Sequence, residues 1–243
     1  MLNGTASINE SLRIPTITHW TAEPVVLEDV TCFQLVAEVR RSTRIELLPP
    51  GLHPTDPSTL SIQAWDVATS PWGSFAFAFA RLSCRSGLRA RGLTMAAVAT
   101  TQAAAEGLAA TYGFPCQTGR IRLASHYDAV DLDVDDSLRI RAVDARPLGV
   151  EDVQYTGTMN LAQTPNGLRL VQVEADHSPT QVKRLRGRID HFTAPSWGDA
   201  RLDPYEIVAA TVAAETSILL PPVRFVCRPD VSAFQGTEKV VVG

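Results

Sequence analysis

The chain has 243 residues, 45% of them hydrophobic and 20% charged, a composition of ordinary globular proteins that excludes wholesale disorder. Lys plus Arg is 22 against 26 for Asp plus Glu, a net charge of -4, so the basic footprint of a nucleic-acid binder is missing. The opening Met1-Leu2-Asn3-Gly4-Thr5 has neither a basic nor a following apolar region, and no stretch has the unbroken apolar length of a membrane span. A cytoplasmic protein with no membrane or nucleic-acid partner is expected.

In chain order, the pattern predicts a strand at Cys32 to Val39. A short helix from Arg41 to Leu47 follows, stopped by Pro49-Pro50-Gly51 because proline cannot donate to a continuing helix. Strands are expected at Leu60 to Val67 and Ser74 to Leu82, separated by the turn signal Pro71-Trp72-Gly73. Thr101 to Tyr112 is alanine-rich and ends before Gly113 and Pro115, a helix with a clear stop. Further strands are predicted at Ile121 to Ala124, Ala129 to Val134, Ser137 to Val143, Gly157 to Leu161, Leu168 to Glu174 and Lys183 to Asp190. Tyr205 to Ala214 reads as a third helix, before a last strand at Pro222 to Cys227. Short strands at this spacing suggest a closed or sandwiched antiparallel sheet.

The four cysteines, Cys32, Cys84, Cys116 and Cys227, have no CxxC spacing, and the five histidines, His19, His53, His126, His177 and His191, form no HxH or HxxxH pair. No metal and no cofactor are expected. Asp128, Asp131, Asp133, Asp135 and Asp136 lack the glycine turn and closing glutamate of a calcium loop and read as a polar strand face. Alternation places Arg184, Arg186 and Arg188 together on another solvated face.

Several segments in sequence resemble the acetoacetate decarboxylase superfamily: "LLPPGL" at Leu47 to Leu52, "YGFP" at Tyr112 to Pro115, "TAPSWGDARL" at Thr193 to Leu202 and "EIVAATVAAETSILLPPVRFV" at Glu206 to Val226. The order and spacing of these motifs cover nearly the whole chain. The resemblance implies one α+β domain over residues 1–243 with a tail from 235. Its architecture would be a large curved antiparallel sheet or barrel around a cavity, with a few peripheral helices and assembly into a homo-oligomer. In that family the residue after the G-F-P turn is a lysine that forms a Schiff base, with a second lysine behind it. Here Cys116 and Gln117 hold those positions, and neither can form an iminium ion. Aligned without gaps, the family's pocket arginine falls at Val30 and its two pocket glutamates at Ile62 and Phe77, with Gln63 and Ala76 as neighbours if the register slips.

The resemblance therefore implies an apolar pocket for a hydrophobic small molecule, in which Val30, Ile62, Phe77 and Cys116 converge. Gln63, Trp65, Tyr112, Phe114 and Thr118 are further candidates for its wall. Cys116, Gln117 and Glu215 are the candidates for chemistry, a reactive Cys116 requiring a neighbouring base such as His126 or His177. The expected activity is that of a non-Schiff-base enzyme cyclising or rearranging a polyketide-like intermediate. Lys183 as a relocated amine for decarboxylase or aldolase-dehydratase chemistry, and non-catalytic binding, are the alternatives.

Overall fold

A computed structural model describes residues 3–7, 13–18 and 20–241, so His19, Met1 and Leu2 lie outside the described residues. The first half of the sheet comprises β1 (Val25–Glu38), β2 (His53–Pro54), β3 (Thr59–Thr69), β4 (Phe75–Ser86), β5 (Arg89–Ala99), β6 (Cys116–Thr118) and β7 (Ile121–Ser125). The second half comprises β8 (Ala129–Val134), β9 (Leu138–Leu148), β10 (Gly157–Thr164), β11 (Gly167–Val173), β12 (Asp176–Phe192), β13 (Glu206–Leu220), β14 (Phe225–Cys227) and β15 (Thr237–Lys239). Three helices accompany them: α1 (Arg41–Leu47), α2 (Gln102–Tyr112) and α3 (Ala233–Gly236).

All fifteen strands belong to one sheet, ordered β15-β14-β11-β10-β5-β4-β3-β1-β13-β12-β9-β8-β7, with β2 on β4 and β6 on β5. The path is open at β15 and β7, so of the curved sheet or barrel expected it is the open sheet that forms. The pairing is mainly antiparallel, but β10–β5 and β5–β6 are parallel. The crossover from β5 to β6 runs through α2, the longer route that a parallel pair requires.

Alternation gives the sheet two apolar faces. Along β4, Ala78 and Ala80 join one core cluster, while Phe75, Phe77 and Phe79 join a second. Full burial of a phenylalanine side chain contributes about 1.5–3 kcal/mol, so this aromatic face is a major source of stability. In α2, Thr101 Oγ1 caps the helix by accepting from the Ala104 amide at 3.3 Å. Gly113 closes it in the left-handed region at φ 71°, and a Cβ there would lie 2.7 Å from Ala162 Cβ.

One predicted element changes and one strand was not predicted. The helix read at Tyr205 to Ala214 is instead part of β13, which pairs with β1 on one side and β12 on the other. Alanine favours a helix locally, but Val208, Thr211, Val212, Thr216 and Ile218 suit a pleated surface, and two flanking strands override the local preference. The strand β5 was not legible, because its run Gly92-Leu93-Thr94-Met95-Ala96-Ala97 has few β-branched residues. No helix among the described residues is long and apolar enough to cross a membrane.

Candidate functional site

A cavity of about 210 Å³ opens on the aromatic face, where β3, β4, β10, β12 and β13 approach one another. Its base is an aromatic cluster: Trp65 lies 5.5 Å from Phe77 and 5.1 Å from Phe79, centroid to centroid, and Phe114 stands edge-on to Phe77 at 5.3 Å. Trp65 and Phe114 line the cavity, whereas Phe77 and Phe79 back them. The Trp65 indole nitrogen is buried, and the group it faces is the Cys32 thiol.

At one end, three adjacent strands converge their polar side chains. Cys32 of β1 lies opposite Ala213 of β13 and Glu215 opposite Val30, which makes Cys32 and Glu215 diagonal neighbours on one face. His177 arrives from β12 on the other side of β13. Its Nδ1 lies 3.0 and 2.9 Å from the two Glu215 carboxylate oxygens. The Tyr155 hydroxyl donates to Glu215 Oε1 at 2.7 Å, and its ring stacks on the His177 imidazole with centroids 3.6 Å apart and 14° between planes. The Glu215 side chain has no exposed surface and His177 is the one ion-pair partner it has among the described residues. Burial, reinforced by the Glu215 charge, raises the Cys32 thiol far above its ordinary value. Burial together with Cys32 and Glu215 does the same to the Tyr155 phenol.

Arg81 forms another part of the wall. It is 3% exposed and has no carboxylate within ion-pair distance among the described residues. Its Nη1 donates to Thr156 O at 2.5 Å and to Thr158 Oγ1 at 2.9 Å, its Nε to Ser61 Oγ at 3.3 Å, and its guanidinium lies 5.2 Å above the Phe79 ring. Burial lowers it to about 10, so it remains a cation at neutral pH. Gly92 makes the space: a Cβ there would lie 2.8 Å from Arg81 Cβ. Arg91, also in the wall, differs in having a carboxylate partner, Glu174.

The cavity is therefore not the apolar enclosure anticipated: Gln63, Arg81, Arg91, Tyr155, Asp176 and His177 all line it. Among the candidates for its wall, Gln63, Trp65 and Phe114 are in the lining. Val30 and Phe77 belong to the apolar cluster behind it, and Cys116 packs against the same cluster. Ile62 turns to the other core cluster, because one residue of register on β3 exchanges its faces and Gln63 takes the cavity side. The four residues expected to converge are thus divided between two faces. Tyr112 is a buried tie whose hydroxyl donates to Leu220 O at 2.8 Å. Thr118 donates to Gln102 at 2.7 Å, and Gln117 accepts from Arg13 outside the cavity. Cys116 donates to Gln117 O at 3.7 Å, and burial pushes its thiol up to about 12.

Sequence reading overlooked Arg81, Tyr155 and the partnership of His177 with Glu215. Arg81 had a signal: it continues the inward phase Phe75, Phe77, Phe79, where a charged residue is unexpected. Tyr155 and His177 had none, since both meet Glu215 only through long-range pairing.

The open, mainly antiparallel sheet with its cavity on the aromatic face is the acetoacetate decarboxylase-like α+β fold. The structure is similar to that of acetoacetate decarboxylase from Legionella pneumophila subsp. pneumophila str. Philadelphia 1, with a TM-score of 0.73 and 17% identity over 84% of this chain and 87% of that one. It is also similar to an acetoacetate decarboxylase-like enzyme from Sphingomonas wittichii RW1, with a TM-score of 0.64 and 14% identity over 91% and 95% of the two chains. The enduracididine biosynthesis enzyme MppR, complexed with pyruvate, superimposes with a TM-score of 0.64 and 18% identity over 84% and 90%. No protein-family model and no curated protein sequence matches the chain.

Proposed function

We propose that this chain is an acetoacetate decarboxylase-like enzyme of small-molecule metabolism that holds a compact organic anion on Arg81 and moves protons on it without a Schiff base. The observation that carries this reading is Arg81 itself. A buried guanidinium satisfied only by neutral oxygens retains a desolvation penalty of several kcal/mol, and a bound carboxylate offsets it through charge-assisted hydrogen bonds. One structural neighbour, MppR, is complexed with pyruvate, a small carboxylate with an adjacent carbonyl.

With Nδ1 directed at Glu215, His177 has Nε2 left to accept or return a proton, and Glu215 stabilises the resulting imidazolium. Tyr155 holds Glu215 and covers the imidazole ring. The cavity of about 210 Å³ favours a compact substrate over a polyketide-like chain, since pockets for drug-sized ligands run about 300–1,000 Å³. Neither Lys183 nor Lys239 lines it, which leaves the relocated-amine reading without support from the geometry.

Incubation with pyruvate in D₂O tests the reading. Loss of the methyl proton signal by NMR should be accelerated, the acceleration should vanish in His177→Asn, and borohydride should leave the intact mass unchanged. Absence of both exchange and binding for a panel of small oxo acids, or a borohydride-stable adduct, would overturn it. Binding without exchange would make the chain a carrier of small anions instead of an enzyme.

A further inference from the structure

The geometry points to a divalent metal site, of the kind zinc occupies, formed by Cys32, His177 and Glu215 beside the cavity. The sulfur, an imidazole nitrogen and a carboxylate oxygen of these residues all lie within 4.8 Å of one another. They come from β1, β12 and β13, which are consecutive in the sheet, so the backbone already fixes their spacing and no segment has to fold over them. All three side chains are at least nine-tenths buried: the Glu215 and His177 side chains are 0% and 7% exposed, and Cys32 is 2% exposed.

The donor set selects the ion. Calcium and magnesium take oxygen ligands, whereas a mixed sulfur, nitrogen and oxygen set suits zinc. Three protein donors fall one short of the four that close a structural zinc site, which leaves a position for water or for a substrate oxygen. His177 lines the cavity, so that position is reached from where a ligand would sit. The surroundings fit such an ion. Trp65, which lines the cavity 6.1 Å from the His177 ring, turns its buried indole N–H toward the Cys32 sulfur, a donor suited to a metal-bound thiolate. The Tyr155 hydroxyl donates to Glu215 and orients that carboxylate, as outer-shell groups do around a ligand. Binding exchanges the Cys32 thiol proton for the ion. The bound ion would polarise a carbonyl oxygen and accept the charge that develops on it, a task a protonated side chain would otherwise perform.

The site shares His177 and Glu215 with the acid–base reading, and a bound ion would take the place of the hydrogen bond between them. It does not use Arg81, so the two fail separately, carboxylate binding and proton exchange being measured without metal and the site by metal uptake. The full chain, freed of metal with a chelator and dialysed, is titrated with cobalt(II). Equimolar uptake with a thiolate-to-cobalt charge-transfer band in the near ultraviolet is expected, and zinc should displace it. Cys32→Ala should abolish the band, and Glu215→Gln should weaken cobalt binding by at least about tenfold. A circular dichroism spectrum and melting curve establish that each variant is folded. Should Cys32→Ala not fold, the same band in His177→Asn serves as the readout, with the same expected loss. No uptake by the parent chain, uptake without the thiolate band, or uptake unchanged in the folded variants would each overturn the site.

Discussion

Arg122, Arg139 and Arg141 on the outer strands and Arg81 on the aromatic face are the same chemical group in opposite surroundings. The outer three are more than half exposed, and each has a carboxylate at hand: Asp133 at 3.3 Å from Arg122 and 3.1 Å from Arg139, Asp131 at 3.8 Å from Arg141. Water already solvates these charges, so pairing adds little. Arg81 is shielded from solvent, and its partners among the described residues are uncharged: Ser61, Thr156 and Thr158 as acceptors and the Phe79 ring beneath it. The chain thus supplies carboxylates where they matter least and withholds one where it would matter most. A charge kept in that state is set up to be completed by something that arrives from outside.

The largest effect is expected from Arg81→Met. Affinity for a small carboxylate, measured by calorimetry, should fall by about 2–5 kcal/mol, while the melting temperature holds or rises because an uncompensated charge has been removed. A large fall in stability with binding retained would show that Arg81 is a structural tie. Gly92→Val attacks the same residue from behind, since a Cβ at 92 already meets the Arg81 Cβ at 2.8 Å. Overpacking there should cost about 1–3 kcal/mol in denaturant titration and weaken carboxylate binding as well. Arg139→Ala tests the other side of the comparison: its loss should cost no more than about 1 kcal/mol and leave binding unchanged. The smallest effect is expected at Cys116. With its thiol pushed up to about 12, alkylation at neutral pH should be slow and should quicken as pH rises, and Cys116→Ala should leave proton exchange intact. Rapid modification at neutral pH accompanied by loss of exchange would assign Cys116 a direct role.

Much of the fold was legible because hydrophobic period and turn chemistry agree locally. The α2 helix is an example, with its alanine run, the Thr101 cap and the Gly113 stop all in the sequence. The β13 strand was not, because its alanines favour a helix and only β1 and β12, far away in the chain, decide otherwise. At the site, Gln63, Trp65 and Phe114 were among the candidates for the wall and line it, and Glu215, a candidate for chemistry, lies beside it in contact with His177. The placement of Ile62 failed for a physical reason: a strand has period two, so an alignment error of one residue exchanges cavity for core. His177 and Tyr155 sit in segments without pattern, and their meeting at Glu215 is a product of sheet order alone. The inward arginine of β4 was visible in the Phe75-Phe77-Phe79-Arg81 alternation, and only the assumption of an apolar pocket concealed it.

The open ends of the sheet carry a consequence for crowding. The β15 edge is three residues long and ends in Lys239, and β7 is five residues long and carries Arg122. Short, charged edges discourage a strand of another molecule from adding to the ladder. Copies of this chain should therefore resist the edge-to-edge stacking that leads to fibres, and any association between them would use side-chain surfaces, leaving each sheet's hydrogen bonding self-contained.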